Sequence, residues 1–200
     1  GFGRTIIQDV FRTGGGCHRE YRKHVLKKTR NPLLRYFKLY QPRQLLILYT
    51  EKKQFSQGNY KKIAAVSNQV KKEIVSNYGV PEADIEVIYN GVDTETFHPQ
   101  NKEMYGNEIR ERFNIKSDEK VILFLGTGFG RKGLTFLIHA CAMIKDNHPD
   151  TKLLVVGKDN DVQKHVRLSR KLGISDRVIF TGPQSDVKRF YAASDIFVFP

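Results

Sequence analysis

Apolar runs and helical patterns alternate along the chain from Asp118 to Pro200. The apolar runs read KVILFLG, TKLLVVG, DRVIFTG and DIFVFP. Between them, apolar residues recur at helical spacing over Leu134–Ile144, Val162–Leu172 and Asp186–Ala193. Strands that alternate with helices at this spacing predict right-handed βαβ units on a parallel sheet. The pattern therefore predicts an α/β fold, in which ligands bind beyond the carboxyl ends of the strands.

The first of these strands runs into a glycine-rich turn, GTGFGRKG, that begins at Gly126. We expect Gly126, Gly128 and Gly130 to leave backbone N–H groups uncovered, so that a ligand can approach them closely. Arg131 and Lys132 follow where the next helix should begin, and the positive end of that helix points to the same place. The turn therefore predicts a pocket for a doubly charged anion, most plausibly a diphosphate.

Two of three other interpretations of this turn stay open. Gly128, Gly130 and Gly133 match the letters of the dinucleotide fingerprint, although Asp159 comes late for the acid that binds the ribose. The phosphate loop G-x-x-x-x-G-K-[ST] does not match, because Arg precedes Lys132 and Gly follows it. The third interpretation is a tight strand-to-helix turn whose basic pair is merely exposed.

The first half of the chain predicts part of another α/β domain. Residues 17–55 have the pattern of long helices, with Pro42 bending or restarting one of them. The run KKIAAV predicts a strand, and Ser67 and Gly79 predict the start and end of the helix that follows. The run IEVIYNGVD predicts another strand. We therefore divide the chain into a domain at 1–90, a polar linker at 91–116 and a domain at 117–200.

The net charge of +13, with a pI near 9.7, predicts an anionic partner. The cations concentrate in the basic helix His18–Arg30 and continue over Arg35–Lys53, where aromatic residues are interleaved. Such helices suit an anionic membrane surface and also suit RNA, and composition does not separate the two. Phe37 and Tyr40 themselves are interpreted as part of a core stripe.

The remaining reactive side chains indicate neither metal nor redox chemistry. Cys17 and Cys141 are far apart and form no C-x-x-C pair, which favours a reduced, cytoplasmic compartment. No apolar run is long enough to span a bilayer. We expect His139 to be a core or boundary residue and His165 to face solvent. The absence of Met at Gly1, and a strand that ends at Pro200, predict a fragment of a longer protein.

Taken in order, these segments resemble the retaining glycosyltransferases of family four over roughly residues 60 to 200. The resemblance rests on the run from AVSNQV to DTETFHP, then GTGFGRKGL, LLVVGKD and VIFTGPQSDVKRFYAASDIFVFP. It implies a Rossmann-like GT-B fold, of which this chain holds a partial N-terminal domain and a partial C-terminal, donor-binding domain. Within the family, FGRKG, FSQG and DVF resemble most the subgroup of lipopolysaccharide glucosyltransferase I.

The resemblance also implies roles for individual residues. Arg131 and Lys132 match the basic pair that grips the donor's diphosphate, and His18 matches the acceptor-domain histidine that reaches the transferred sugar. The implied substrate-binding residues are Gly126, Thr127, Gly128, Gly157, Lys158, Gly182, Pro183 and Gln184. Gly14–Gly16 stands where the subgroup has an aspartate, so that assignment does not carry over. No metal ligand is implied.

The implied activity is a retaining, metal-independent transfer of a hexose from a UDP-glucose-type donor to a glycan or glycolipid such as lipopolysaccharide core. The nucleotide sugar is a co-substrate, and no cofactor is expected. An anionic acceptor and the inner membrane face are the expected partners, with no nucleic acid, in a cytoplasmic and peripheral location. We expect this hexosyltransferase fragment to be inactive alone, because the family's donor-binding glutamates would follow Pro200. The alternative is a non-catalytic basic module that binds nucleic acid or anionic membrane.

Overall fold

The computed structural model describes residues 5–28 and 31–200. The chain divides into two compact units between Gly91 and Val92, and each unit has its own sheet. Residues 1–4 of the predicted first domain, and Thr29 and Arg30 of the predicted basic helix, lie outside the described residues.

The first unit has a parallel sheet of three strands in the order β1-β2-β3: β1 is Val10–Arg12, β2 is Lys62–Ala65 and β3 is Ile85–Val87. Three helices connect β1 to β2, namely α1 (His18–Lys28), α2 (Pro32–Leu39) and α3 (Pro42–Gln54). Helix α4 (Asn68–Tyr78) and a short 3-10 turn lead to β3. The strand predicted over 85–93 is thus confirmed only in its first three residues.

Local sequence signals explain where these helices begin and end. Ser67 Oγ accepts a hydrogen bond from Val70 N–H at the start of α4, and Gly79 ends the helix at φ 68°. Pro32 and Pro42 occupy the first positions of α2 and α3, where a missing N–H costs nothing. The sequence predicted both features of α4. Of the two alternatives that it left at Pro42, a bend or a new start, the structure shows the new start.

The second unit has four parallel strands in the order β6-β5-β4-β7. Its elements in chain order are α5 (Asn101–Arg112), β4 (Lys120–Leu125), α6 (Leu134–Met143), β5 (Thr151–Val156), α7 (Val162–Lys171), β6 (Val178–Gly182), α8 (Val187–Ala192) and β7 (Ile196–Phe197). Every strand and helix predicted after residue 117 is present, which confirms the α/β class with parallel sheets. The range predicted as a linker, 91–116, contains helix α5.

Helices cover both faces of the second sheet. Alternate residues of β4 point to opposite sides, so that Phe124 packs in one cluster with Leu134 of α6 and Ile138, while Val121 and Leu123 pack in the other. The second cluster includes Ile109 of α5 and Phe190 of α8. The strands are almost continuously apolar because both faces of this sheet are buried. A ligand can therefore reach this sheet at the carboxyl ends of its strands and at the turns that follow them.

The structure contradicts the expectations for four aromatic or histidine side chains. His165 is 2% exposed, because it lies on the same face of α7 as Val162 and Leu168, which face α6. His139 is exposed, since Leu134, Leu137 and Ile138 form the buried face of α6. Phe37 and Tyr40 are 68% and 57% exposed, so they belong to no core stripe. They form part of an apolar surface on α2 and its end.

Candidate functional site

Three turns come together at the carboxyl ends of β4, β5 and β6. Gly126 N–H donates to Val156 O at 2.9 Å, Gly128 N–H to Lys158 O at 3.0 Å, and Gly157 N–H to Gly182 O at 3.0 Å. These bonds join the three groups of residues that the sequence assigned to substrate binding in this unit. They also use the N–H groups of Gly126 and Gly128, so the expectation that both lie uncovered is wrong. The carbonyl groups of Val156, at the end of β5, and of Lys158, just after it, accept these hydrogen bonds.

The backbones of Gly126 and Gly157 lie too close together for a side chain at Gly157. A Cβ atom built on Gly157 would lie 1.9 Å from the carbonyl oxygen of Gly126, and Gly157 has φ 130°. Real Cβ atoms essentially never come within 3.0 Å of another atom. The turn after β5 therefore requires glycine for a packing reason that is independent of any ligand.

The basic pair lies at the far end of the glycine-rich turn. Lys132 extends across Gly126, where a Cβ atom would lie 2.4 Å from its Nζ, and that Nζ lies 5.1 Å from the centroid of the Phe199 ring. Arg131 is exposed beside Gly128. Within the described part of the chain, neither cation forms an ion pair. Both charges are therefore available to an anion at this edge.

Thr127, Gly128 and Lys158 line a cavity of about 270 Å³ together with Asp159 and Asn160. Thr127 and Lys158 are exposed, so their side chains can reach a ligand. The cavity is smaller than a nucleotide sugar, whose binding would extend beyond it. Sequence reasoning had placed Thr127, Gly128 and Lys158 here, and had considered Asp159 only as an acid for a ribose.

Asp159 fixes the conformation of the glycine-rich turn. Its carboxylate accepts hydrogen bonds from Asp161 N–H at 2.8 Å and from Phe129 N–H at 2.6 Å. Bonds from these two N–H groups lower the pKa of Asp159 although burial opposes them, and a bond from Gly130 N–H acts in the same direction. The ring of Phe129 is buried between those of Phe124 and His165, at centroid distances of 5.8 and 5.7 Å. The turn is thus held from two sides.

The turn after β6 is bonded mainly to itself. Gln184 Nε2 donates to Thr181 O at 3.0 Å, and Thr181 Oγ1 donates to Gly182 O at the same distance. Pro183 is exposed. The side-chain oxygen of Gln184 accepts no hydrogen bond from any described residue, and Gly182 joins the turn to the site through its bond with Gly157.

His18 belongs to the first unit, where it lines a cavity of about 680 Å³ with Gly14–Gly16 beyond the end of β1. Its Nε2 lies 2.5 Å from Gln44 Oε1, and its backbone N–H donates to Glu51 Oε1 at 2.6 Å. Glu51 also accepts hydrogen bonds from Arg19 N–H and from the Tyr78 hydroxyl. Gln44 and Glu51 thus fix the position of His18. Both lie more than twenty residues further along the chain, so no local sequence pattern indicates this role.

A second carboxylate supports the same segment. Glu73 Oε2 accepts a hydrogen bond from Cys17 N–H at 2.9 Å. Burial raises the pKa of the Cys17 thiol to about 12, and the negative charges of Glu51 and Glu73 add to the shift. The thiol is therefore neutral at physiological pH and acts as a small apolar side chain.

In residues 5–28 and 31–200, no three His, Cys, Asp or Glu side chains are grouped so that they could hold a metal ion. No helix in the same residues is long and apolar enough to cross a membrane.

Two protein-family models match this chain and together cover most of it. The model described as "Glycosyltransferase Family 4" matches residues 11–96, and the model described as "Glycosyl transferases group 1" matches residues 106–200. Among curated proteins, the putative glycosyltransferase YtcC of Bacillus subtilis is 32% identical over 168 residues, which are 76% of this chain and 41% of that protein. The lipopolysaccharide glucosyltransferase WaaG of Escherichia coli is 27% identical over 155 residues, with 75% and 40% covered.

Solved structures show the same likeness in the fold. The crystal structure of WaaG, a glycosyltransferase involved in lipopolysaccharide biosynthesis, superposes with a TM-score of 0.80 at 24% identity and covers 100% of this chain and 52% of that one. Anabaena Alr3699/HepE in complex with UDP-glucose gives a TM-score of 0.64 at 21% identity, with 77% and 42% covered. The likeness confirms the predicted GT-B fold. The chain spans about two fifths to one half of the length of these proteins.

Proposed function

This chain belongs to the glycosyltransferases of group 1 and family 4, and we propose that the whole protein moves a hexose from a UDP-glucose-type donor to a glycan or glycolipid acceptor. Structural neighbours solved with UDP and with UDP-glucose support this donor class. The likeness to a lipopolysaccharide glucosyltransferase supports lipopolysaccharide core as the acceptor. The single observation that carries the proposal is the pair of cations Arg131 and Lys132, which form no ion pair with any described residue and lie beside three joined turns.

The proposed role of Arg131 and Lys132 is to stabilise the leaving nucleoside diphosphate. Negative charge builds on the diphosphate oxygens as the anomeric bond breaks, so cations placed there favour the transition state over the ground state. Two such charges can act without a metal ion or a cofactor. Gly157, Lys158 and the turn at Gly182–Gln184 would hold the nucleoside, largely through backbone groups.

For the acceptor side we propose that His18 contacts the transferred sugar. Gln44 and Glu51 hold it at the rim of a cavity large enough for a sugar residue. Family membership favours retention of the anomeric configuration. Front-face attack guided by the departing phosphate accounts for retention without a nucleophilic carboxylate.

We further propose that the enzyme works in the cytoplasm, at the inner membrane face. Leu33, Tyr36 and Phe37 of α2 are all at least 60% exposed, and basic residues stand among them. Exposed aromatic side chains beside Lys and Arg suit a membrane interface, at about 1 kcal/mol for each cation near an anionic surface. Binding to vesicles that does not depend on anionic lipid would contradict this part of the proposal.

The proposed donor site is tested by calorimetric titration of the purified chain with UDP. We expect saturable binding that Arg131→Ala and Lys132→Ala each weaken by about tenfold or more, since each removes a charge-assisted contact. Lys164→Ala, an exposed cation on α7, is the matched control and should bind as the unmodified chain does. In the whole protein, each of the first two substitutions should lower turnover by about tenfold to a thousandfold. Unchanged UDP binding in both would refute the assignment.

The same titration separates the transferase from a non-catalytic basic module. A module would bind RNA with a steep dependence on salt, and neither Arg131→Ala nor Lys132→Ala would alter that binding. The match of both halves to glycosyltransferase models favours the enzyme.

A further inference from the structure

The residues that follow β7 have no assigned role, although they reach the edge of the sheet at which the proposed donor site lies. Strand β7 pairs with β4 in parallel, with Phe197 opposite Leu123, and Val198 N–H donates to Leu123 O at 2.9 Å. Parallel neighbours end at the same edge of a sheet. Phe199 therefore leaves β7 beside the turn that begins at Gly126.

Two glycines let this segment and Lys132 come together. A Cβ atom built on Gly126 would lie 2.5 Å from Cδ of Lys132 and would overlap its Nζ, so the lysine crosses the bare backbone of Gly126. A Cβ atom built on Gly133 would lie 2.9 Å from Cβ of Pro200. Pro200 thus packs against the start of α6, directly after the turn that carries Lys132.

The ring of Phe199 holds the charged end of Lys132. The Nζ atom lies 5.1 Å from the ring centroid, within the distance at which an aromatic face attracts an ammonium group. No described residue forms an ion pair or a side-chain hydrogen bond with Lys132. A lysine side chain has many rotamers, so an Nζ atom that is already held loses less conformational entropy when an anion binds.

The ring of Phe199 is the last of four rings that lie in a row. The centroid distances are 6.0 Å from Phe97 to Tyr191, 5.3 Å from Tyr191 to Phe197, and 6.4 Å from Phe197 to Phe199. Aromatic pairs at these separations attract each other beyond the effect of the area that they bury. Phe199 is 55% exposed, so its own burial fixes the ring only partly, and this aromatic row supports it from behind.

We propose that Phe199 is a positioning residue of the donor site, which holds Lys132 Nζ where the diphosphate of the donor binds, and that the aromatic row supports it. The inference rests on the proposed function of Lys132. The ring itself offers nothing to a phosphate, because its face carries partial negative charge and no hydrogen-bond donor. Phe199 therefore acts on the donor through the ammonium group of Lys132, and its effect disappears when that group is removed.

The chain offers a conservative variant, a graded one and a matched control. Phe199→Leu removes the aromatic ring and keeps an apolar side chain, whereas Phe199→Tyr keeps the ring. Phe197→Leu removes the ring on which Phe199 stacks. The control is Phe136→Leu, because Phe136 is 73% exposed on α6 of the same unit and has no ring contact with any described residue.

The first measurement is calorimetric titration of the purified chain with UDP. We expect Phe199→Leu to weaken binding by about twofold to fivefold, Phe197→Leu to weaken it less, and Phe199→Tyr and Phe136→Leu to bind as the unmodified chain does. In the Lys132→Ala background, Phe199→Leu should cause no further loss, because the group that it positions is absent. An equal loss in both backgrounds, or no rescue by Phe199→Tyr, would overturn the proposal.

The second measurement needs no ligand. Lysine side chains are dimethylated with a ¹³C label, which keeps their charge, and the Lys132 signal is identified by its absence in Lys132→Ala. The ring current of Phe199 should displace this signal, so Phe199→Leu should move it and Phe136→Leu should not. A signal that Phe199→Leu leaves in place would overturn the proposal. Absence of UDP binding by the unmodified chain would refute the donor site and the role at the diphosphate, whereas the Lys132 signal reports separately whether Phe199 places the ammonium group.

Discussion

The close approach of Gly157 to Gly126 predicts a large loss of stability for Gly157→Ala. The methyl group would lie 1.9 Å from Gly126 O and 2.7 Å from its carbonyl carbon, and both are backbone atoms of the neighbouring turn. A flexible side chain could rotate away, but these atoms are fixed by the bonds that join β4 to β5. Either the two turns separate or the strand ends shift.

The structure separates the two contributions to this loss. A side chain at φ 130° costs about 1–3 kcal/mol, and forcing the backbone apart adds about 1–3 kcal/mol. Gly182 has φ 72° but open space around its Cβ position, so Gly182→Ala should cost only about 1–2 kcal/mol. Gly130 has neither constraint, and Gly130→Ala should be neutral or stabilise by up to about 1 kcal/mol.

Urea unfolding of the full chain, followed by far-ultraviolet circular dichroism, measures this series. With a slope of about 2 kcal/mol per molar urea, Gly157→Ala should lower the midpoint of the second unit by about 1–3 M. Gly182→Ala should fall between it and Gly130→Ala. A Gly157→Ala midpoint equal to that of Gly130→Ala would refute the close packing of the turns, and with it the geometry of the candidate site.

Three further predictions concern single groups. The hydrogen bond from Val121 N–H and the charge of Arg110 lower the pKa of Asp195, although burial opposes this shift. The contribution of Asp195 to stability is therefore present at neutral pH and is lost as the pH falls below about 4. Asp195→Asn should make stability depend less on pH in that range, as acid unfolding followed by circular dichroism would show. Ser67→Ala should cost about 1 kcal/mol in urea unfolding, because it removes the cap of α4. Cys17, with a pKa of about 12, should resist alkylation at pH 8 until the chain is unfolded, as mass spectrometry would show.

The second sheet was predictable because its strands and helices carry distinct periods. Runs such as KVILFLG are too short for helices and too apolar for exposed strands, and the helix between each pair has one apolar face. The same reasoning would have placed His165 in the core, since it stands three residues after Val162 and three before Leu168. The error came from judging that side chain by its type alone.

Helix α5 was not predictable from apolar periodicity. Its buried residues are Asn101, Gly106 and Ile109, which form no apolar stripe. Besides Ile109, which packs in one cluster with Phe190, it contacts α8 through Gly106, where a Cβ atom would lie 3.0 Å from Ala192 O. Strand β1 has only three residues, too few to show a period of two. Both elements are thus determined by the element against which each one packs, and the local sequence does not indicate them.

The carboxylates that organise both cavities escaped sequence reasoning for a related reason. Asp159 reaches back to Phe129, and Glu51 reaches back to His18, across about thirty residues in each pair. No local motif encodes such a bond. Asp159 ends the run LLVVGKD of the resemblance but has no role assigned by it, and Glu51 lies outside the resemblance. The role of each carboxylate becomes visible only in the fold, where it holds a turn.

The internal use of the Gly126 and Gly128 N–H groups changes how an anion would be bound at this edge. With these donors bonded to Val156 O and Lys158 O, most of the attraction must come from Arg131 and Lys132. The two cations are not equivalent, because Lys132 is already placed across Gly126 and beside Phe199, whereas Arg131 is exposed. A charge that is already in place stabilises a transition state without reorganisation, whereas a mobile one first loses conformational entropy. We therefore propose Lys132 as the fixed element of the donor site, with Arg131 completing it when the ligand binds.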